Sequence, residues 1–535
     1  MTADLLFTGG QVWLGPGRRS TALAVTGDRV SALGDDAVAA GAATVIDLDG
    51  GLLLPGFSDG HCHPPQAGLE KIGPLVSDLD SIEAIVAEVA RFAAANPDLE
   101  WIKGGSYDPS LAEGGSFLAT WLDEAVSDRP VLLKAHDYHT AWCNSKALEL
   151  AGITAETPDP EDGVIDRLPD GSPAGTLREP AGYGLVESLF PAATLAQQTE
   201  ALRFACNAQA ACGVTWMQDA WVTEEGHLPY LELLKADALT VRSNLAWLAE
   251  PDRWRDQLEI FGKLRAEVDA AGRPELLSAY SIKFFADGVI ESATADMLEP
   301  YVDTHDHGTA IWEPAELAEA VVAIDALGFQ THIHAIGDAA VRNSLDAIEK
   351  AVKTNPEWDR RPVITHVQLA DPVDLPRFAE LNVTAAMQTF WAQQDDLMLQ
   401  LTAPRLGEER SNRQYPVQTL TKLGARVSIA SDWPVSTNYP IDAIAVAATR
   451  QNAAGLPSEG WVPEEKLPLE DGLLAATEGG AYQGFAENSR GKLAPGFLAD
   501  LVWLDRDITA EDPAKARQAQ VVGTWVGGKP TYSRS

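Results

Sequence analysis

Cysteine is scarce in this chain of 535 residues, which has four: Cys62, Cys143, Cys206 and Cys212. No two of them form a CxxC pair, so a disulfide framework is not indicated and a reducing, cytoplasmic location is expected. The first 15 residues lack the basic start, apolar core and cleavage site of a signal peptide. No apolar run reaches the roughly 18 residues of a membrane-spanning helix, so we expect none.

Basic residues are also few. Lys and Arg total 40 against 78 Asp and Glu, which gives a formal net charge of −38. A surface this acidic repels phosphate backbones and anionic lipids, so nucleic-acid and membrane partners are disfavoured. Hydrophobic residues make up 45% and charged residues 22% of the chain. This ordinary globular composition excludes long disorder as the main architecture.

The two ends of the chain are both rich in β-forming residues. Segments rich in Val, Leu and Ile, separated by glycine-containing turns, occupy residues 1–55 and recur after residue 485. We therefore predict a small β-sandwich domain formed by residues 1–55 and 485–535. A larger domain is predicted for residues 56–484.

Within the larger domain, short apolar segments that end in polar residues alternate with helical segments. The strand-like segments include VLLKAHD, GVTWMQDA, TVRSNLAWL, YSIKFFADG, GFQTHIHAIGD, RPVITHVQ, NVTAAMQT and ARVSIASDWP. This alternation predicts an α/β protein with a (β/α)8 TIM barrel, whose chemistry lies at the carboxyl ends of the strands. Residues 64–200 are too long for a simple connection, so we predict an inserted subdomain after the first barrel strand.

Several histidines and one aspartate fall at the ends of predicted strands: His61, His63, His332, His334, His366 and Asp432. Residues two apart on a strand share a face, so each H-x-H pair can point at one centre. An isolated H-x-H is equally compatible with two turn histidines. Together, however, the converging imidazoles and carboxylate predict a divalent metal site at the barrel mouth. Asp59 is a candidate to orient a ligating imidazole.

Lys283 lies within an apolar predicted strand, AYSIKFFADG. Buried lysines are normally paired, and Asp287 is a nearby candidate partner. The alternative is a lysine that reacts with CO₂ to form a carbamate, which then bridges two metal ions. The residues alone leave both interpretations open.

Motifs over nearly the whole chain resemble the metal-dependent amidohydrolase superfamily, in particular the family 3 branch that includes N-substituted formamide deformylases. The matching segments are LLLPGFSDGHCHP, HTAWCNSKALELAGIT, YSIKFFADGVIESATADMLEPY, THIHAIGDAAVRNSLDAI, VITHVQLADP, SIASDWPVS and SRGKLAPGFLADLVWLD. The resemblance implies the same barrel, and a β-sandwich built from both chain ends.

The resemblance also implies roles for individual residues. One or two divalent ions, with zinc expected and iron, manganese or nickel as alternatives, would be bound by His61, His63, Lys283, His334, His366 and Asp432. Lys283 is expected to be carboxylated. Asp432 is expected to take the proton of the nucleophilic water, and His366 or His332 to help polarise the substrate carbonyl. Trp433, His332 and His139 are candidates to contact substrate, and for the two histidines a structural role stays open.

The implied activity is hydrolysis of a C–N amide-type bond in a small molecule, such as an N-substituted amide, a formamide or a cyclic amide. Deaminases of the same superfamily typically carry a glutamate shortly after the fifth-strand histidine as a proton shuttle. No such glutamate follows His334 here, so a deaminase is disfavoured. An ester or lactone hydrolase stays open, as does a homodimer, whereas a non-catalytic scaffold is disfavoured because every expected ligand position is occupied. Aromatic residues suit an apolar substituent, with core packing as the alternative: Trp142, Phe284, Phe390, Trp391 and Trp433.

Overall fold

The computed structural model describes residues 2–77 and 79–534. Its centre is an eight-stranded parallel sheet whose neighbouring strands follow one another along the chain. These barrel strands, first to eighth, are Phe57–Cys62, Val214–Val222, Arg242–Leu248, Leu277–Phe285, Gln330–Ala335, Val363–His366, Thr384–Met387 and Arg426–Ile429. The predicted α/β class is confirmed.

The first and eighth barrel strands lie side by side. Just beyond the eighth strand, the backbone N–H of Asp432 donates to the backbone carbonyl of His61 at 2.8 Å. The backbone N–H of His63 donates to the backbone carbonyl of Trp433 at 2.7 Å. Asp59 reinforces this joint, because its carboxylate accepts hydrogen bonds from the backbone N–H and the hydroxyl of Ser431 at 2.9 and 2.5 Å. The sheet therefore curves into a near-barrel, consistent with the predicted TIM barrel.

Helices connect the barrel strands or follow the last of them, and they pack around the sheet. They are Leu195–Ala211, Leu228–Lys235, Trp254–Ala270, Pro314–Ala326, Asp338–Thr354, Leu375–Glu380, Ala403–Ser411, Val417–Lys422, Pro440–Thr449, Leu469–Leu474 and Gly480–Gln483. Asp338–Thr354 shows why they dock: its buried residues Val341, Leu345 and Ile348 recur at helical spacing and form one apolar face. Among the described residues, no helix combines the length and apolar character needed to cross a bilayer.

Between the first and second barrel strands lies a separate five-stranded sheet, with strands Val164–Arg167, Pro173–Arg178, Thr140–Cys143, Val131–Ala135 and Ile102–Tyr107 in spatial order. Its helices are Pro64–Glu70, Ile82–Ala95, Ala119–Ala125, Ser145–Leu150 and Glu179–Glu187. The placement of VLLKAHD among the barrel strands is wrong. Val131–Ala135 instead pairs antiparallel with Thr140–Cys143 and buries its leucines in cores of the insert itself. A short apolar run carries no information about which sheet will accept it.

Two further sheets come from the chain ends. The four-stranded sheet contains Arg29–Leu33, Leu23–Thr26, Ala3–Thr8 and Ala42–Asp47, with the helix Gly34–Ala40 beside it. The six-stranded sheet contains Lys529–Ser533, Val521–Val526, Leu501–Leu504, Leu52–Pro55, Gln11–Trp13 and Arg19–Ser20. Phe7, Val25, Leu53, Leu501 and Trp525 share one apolar cluster, so residues from both ends bury one another. The exact domain boundaries stay predictions.

Candidate active site

A cavity of about 800 Å³ opens at the carboxyl ends of the barrel strands. His61, His63, His334, His366 and Asp432 all line it. The insert contributes to the same wall through Tyr138, His139 and Glu179. The barrel and the insert therefore enclose one site.

The side chains of Asp432 and the first-strand histidines converge. Asp432 Oδ1 lies 3.1 Å from His61 Nε2 and 2.9 Å from His63 Nε2. Despite this proximity, His61 Nε2 and Asp432 Oδ1 are buried without a well-aligned hydrogen-bond partner among the described residues. His61, His366 and Asp432 can bring one ligand atom each within 4.8 Å of one another. A divalent cation would satisfy these atoms, which are otherwise costly to bury.

Protonation in this cluster suits metal binding. Burial lowers the pKa of His366 to about 3 and, together with Lys283, holds the pKa of His61 well below its usual value. Burial would raise the pKa of Asp432, but its contacts with His61 and His63 outweigh this effect and hold that pKa well below its usual value. Neutral imidazoles and an ionised carboxylate are the forms that ligate metals.

Outer hydrogen bonds orient the imidazoles. His61 Nδ1 lies 2.7 Å from His332 Nε2, His366 Nδ1–H donates to Gln388 Oε1 at 2.9 Å, and His334 Nε2–H donates to the carbonyl of Gly288 at 3.0 Å. Each contact leaves the other ring nitrogen for a metal. Because neutral His366 carries its hydrogen on Nδ1, its Nε2 offers a lone pair and suits ligation better than polarisation of a carbonyl.

The expected role of Asp59 is wrong. Its carboxylate accepts hydrogen bonds from Gln209 at 3.0 Å and from Ser431, and it reaches only the backbone N–H of His61 at 3.4 Å. His332 takes the place expected of Asp59 behind the imidazole of His61. His332 is not among the described residues that line the cavity, so its expected substrate contact has no support in this geometry.

Lys283 is fully buried, and its Nζ has no hydrogen-bond partner among the described residues. The alternative pairing with Asp287 is wrong. Asp287 instead accepts hydrogen bonds from the backbone N–H groups of Asp296, Ile336 and Gly337 at 2.9, 3.0 and 2.8 Å. Burial lowers the pKa of Lys283 to about 7, which favours the neutral amine.

Of the two remaining candidates for substrate contact, His139 lines the cavity and Trp433 does not. His139 lines the cavity and pairs with Glu179, which raises the pKa of His139 to about 9 although burial alone would lower it. Trp433 packs against the barrel core and is not among the described residues that line the cavity. Its expected substrate contact therefore has no support in this geometry.

Aromatic side chains form much of the apolar wall. Phe390 and Trp391 line the cavity as the sequence suggested, and the ring of Trp391 stacks on His366 with centroids 5.7 Å apart. Trp142 and Phe284 are instead buried in cores. Sequence reasoning missed Trp221, Phe285, Trp312 and Tyr415. The first two end barrel strands, and that position was the available signal.

Several residues of the cavity wall, Glu179, His366 and Asp432 among them, hold backbone conformations that are unfavourable for a residue with a Cβ. The φ angles of Glu179, His366 and Asp432 are 61°, 76° and 55°. Each costs about 1–3 kcal/mol, and such residues cluster at functional sites.

Acidic side chains dominate the charge of the cavity wall. Its wall includes the carboxylates of Asp108, Asp137, Glu161, Asp162, Glu250, Asp252, Glu291, Asp395 and Asp396. No lysine or arginine occurs among the described residues that line it. Carboxylates outnumber the positive groups of the wall, and this excess favours the approach of cations.

A model of the amidohydrolase family matches residues 44–532. The chain belongs to this family. This amidohydrolase is 30% identical to Protein LONG AFTER FAR-RED 3 of Arabidopsis thaliana over 99% of its own chain and 92% of that protein. It is 28% identical to the N-substituted formamide deformylase of Arthrobacter pascens, over 99% of each chain.

Solved structures agree with this membership. An uncharacterized metal-dependent hydrolase from Pyrococcus furiosus superposes with a TM-score of 0.70 at 25% identity, covering 94% of this chain and 99% of the other. Membership and the cluster of His61, His366 and Asp432 make this protein a metal-dependent hydrolase with a site for a divalent ion.

Proposed function

We propose that this amidohydrolase cleaves a C–N amide-type bond in a small molecule, such as an N-substituted amide, a formamide or a cyclic amide. The observation that carries the proposal is Asp432 Oδ1, buried without an aligned partner beside His61 and His63 in the wall of the cavity. The similarity to an N-substituted formamide deformylase supports this bond class. A divalent ion bound here would lower the pKa of water and polarise a carbonyl.

Asp432 is the proposed general base. Its carboxylate accepts the proton of the attacking water and returns it to the leaving nitrogen, because an amine departs only once it is protonated. Burial keeps the imidazoles of His61 and His366 neutral, whereas the contacts of Asp432 hold the pKa of its carboxyl well below its usual value, so Asp432 is ionised and can accept a proton.

Lys283 is the proposed site of carboxylation. The neutral Nζ would attack the carbon of CO₂. An N–C bond forms as one C=O π bond breaks and its electron pair moves to oxygen, the nitrogen releases a proton to solvent, and the resulting carbamate anion offers oxygen ligands. Burial without a partner and a pKa of about 7 support this step. The carbamate would complete a set made of His61, His63, His334, His366 and Asp432. Zinc is our proposed metal because it prefers nitrogen-rich, low-coordinate donor sets.

The cavity wall suggests the kind of substrate. A neutral or cationic amide with an apolar or aromatic substituent fits beside Phe390, Trp391 and Trp312. A substituent that bears a carboxylate would meet a wall in which carboxylates outnumber positive groups.

The test combines metal analysis with a substrate screen. Purified protein loaded with zinc is assayed against N-substituted amides, formamides, cyclic amides, esters and lactones, beside Asp432→Asn as a matched control. We expect amide hydrolysis by the wild type and almost none by the variant. Hydrolysis of esters alone, or equal amide turnover by both proteins, would contradict the proposal.

A further inference from the structure

The insert contributes a histidine–carboxylate pair to the cavity wall. His139 Nδ1 lies 2.7 Å from Glu179 Oε2, and both residues are buried. The backbone N–H of Glu179 also donates to the carbonyl of His139 at 2.6 Å. Two contacts therefore fix the imidazole relative to the carboxylate.

The barrel holds the other oxygen of Glu179. Thr294 Oγ1 donates to Glu179 Oε1 at 2.5 Å, and Ser292 Oγ lies 3.4 Å from the same oxygen. Both hydroxyls belong to the loop that follows the fourth barrel strand, which carries Lys283. Hydrogen bonds to both oxygens stabilise the ionised carboxylate and leave it little freedom to turn.

The backbone of Glu179 has an unfavourable conformation. Its φ of 61° lies in the left-handed region, at the first residue of the helix Glu179–Glu187. This conformation is unfavourable for a residue with a Cβ and persists only where the surroundings impose it. The contacts with His139 and Thr294 hold the side chain of Glu179 in this position.

The free nitrogen of His139 faces the site. Since Nδ1 is committed to Glu179, Nε2 is the ring nitrogen left for the cavity that His139 lines. The ring centroid of His139 lies 5.7 Å from that of His334, a predicted metal ligand. A carboxylate at Nδ1 favours the imidazolium, in which Nε2 also carries a hydrogen. A fixed N–H donor at this place can stabilise negative charge as it develops on a carbonyl oxygen.

We propose that His139 donates a hydrogen bond from Nε2 to the substrate carbonyl oxygen as the tetrahedral intermediate forms, and that Glu179 is the positioning residue that holds its ring. This proposal rests on one part of the proposed function, namely that water attacks the carbonyl carbon of the substrate. The rival explanation is a pair that merely locks the insert to the barrel.

The main variant is His139→Gln in the zinc-loaded enzyme. Removing a donor to the developing oxyanion should lower kcat by about 10²–10³-fold. KM should change by less than about threefold, because the contact is made mainly in the transition state. Metal content should match the wild type, and any loss of Tm should be accompanied by a far larger loss of kcat than in His227→Gln. Glu179→Gln retains an acceptor for Thr294 but loses the charge, so kcat should fall by a smaller factor.

The chain offers a matched control. His227 is also buried and pairs with a glutamate, because its Nε2 lies 3.0 Å from Glu267 Oε2. Neither His227 nor Glu267 is among the described residues that line the cavity. His227→Gln should therefore leave kcat at the wild-type level.

A binding measurement tests the same donor without turnover. Methylphosphonate, a tetrahedral oxyanion, is titrated into each zinc-loaded protein by calorimetry. The Kd should rise at least about tenfold in His139→Gln, as expected for the loss of a charge-assisted hydrogen bond, and stay unchanged in His227→Gln.

A kcat for His139→Gln within about twofold of the wild type would overturn the proposal. Equal losses of kcat and Tm in His139→Gln and His227→Gln would also overturn it. If His139→Gln is unfolded, an unchanged kcat in Glu179→Gln also overturns it. Amides, esters and lactones share the carbonyl oxygen, so the assay uses whichever of them the wild type hydrolyses. If it hydrolyses none, the proposed function fails while the methylphosphonate titration still decides the role of His139.

Discussion

The backbone N–H of Asp432 donates to the carbonyl of His61 at 2.8 Å, and the side chains of the same two residues meet at 3.1 Å. The joint between the first and eighth barrel strands is therefore also the centre of the metal site. A cation bound there would hold the two strands together. Metal loading and fold stability should consequently be coupled.

Metal removal should lower the stability of the protein. At free metal about 1,000-fold above Kd, an ion that binds only the folded state adds about 4 kcal/mol to the free energy of unfolding. Calorimetry of dialysed, chelator-treated protein should show a lower Tm, which zinc restores. Identical melting curves with and without zinc would show that metal binding does not stabilise the joint between the first and eighth strands.

Alanine at His61 or His63 should reduce bound metal, because each substitution removes an imidazole beside Asp432. Metal per chain is measured by elemental analysis after dialysis. The exposed His307, which lies outside the cavity, supplies the control His307→Ala and should keep its metal. Full metal content in both His61→Ala and His63→Ala would show that the site is assigned wrongly.

Asp432→Asn should fold and yet turn over substrate at least about 10²-fold more slowly, since an amide cannot accept the proton of water at neutral pH. Stopped assays give kcat, and circular dichroism with a melting curve reports the fold. Turnover close to the wild type would remove Asp432 from proton transfer.

Lys283→Ala should lose metal and most activity, because the substitution removes the nitrogen that would carry the carbamate. Short carboxylic acids added in solution should restore part of both by supplying the missing oxygen ligands. Lys283→Met, of similar volume, should also lose metal and should respond less to the acids, because its side chain fills the space. Carbon-13 spectra of wild type grown with labelled bicarbonate should show a carbamate signal. An unmodified amine in fully active enzyme would contradict carboxylation.

Substrate charge should govern the catalytic efficiency. For matched amides that differ only in one substituent, kcat/KM should be lower for a carboxylate than for a neutral or ammonium group, because the wall is acidic. The difference should shrink as salt is raised, since exposed charges are screened. A preference for the carboxylate at low salt would refute this charge argument.

Much of the site could be predicted from the sequence. His61, His63, His334, His366 and Asp432 all line the one cavity, as strand-end residues of a βα repeat should. Trp221 and Phe285 occupy the same kind of position, but an aromatic residue after an apolar run resembles core packing, as Phe284 in fact is. VLLKAHD was misplaced because the local pattern of a strand is the same in either sheet.

The sequence by itself determined the alternation of strands and helices and the chemical types of the metal-binding side chains, because both are local properties of the chain. Only the tertiary structure decided how the polar atoms pair. Asp59 ties two strands together, Lys283 stays without a partner, and His139 meets Glu179 from 40 residues away. The physical reason is that a hydrogen bond needs partners within about 3 Å at a suitable angle. Whether segments far apart in the chain meet that condition depends on how the insert and the barrel pack.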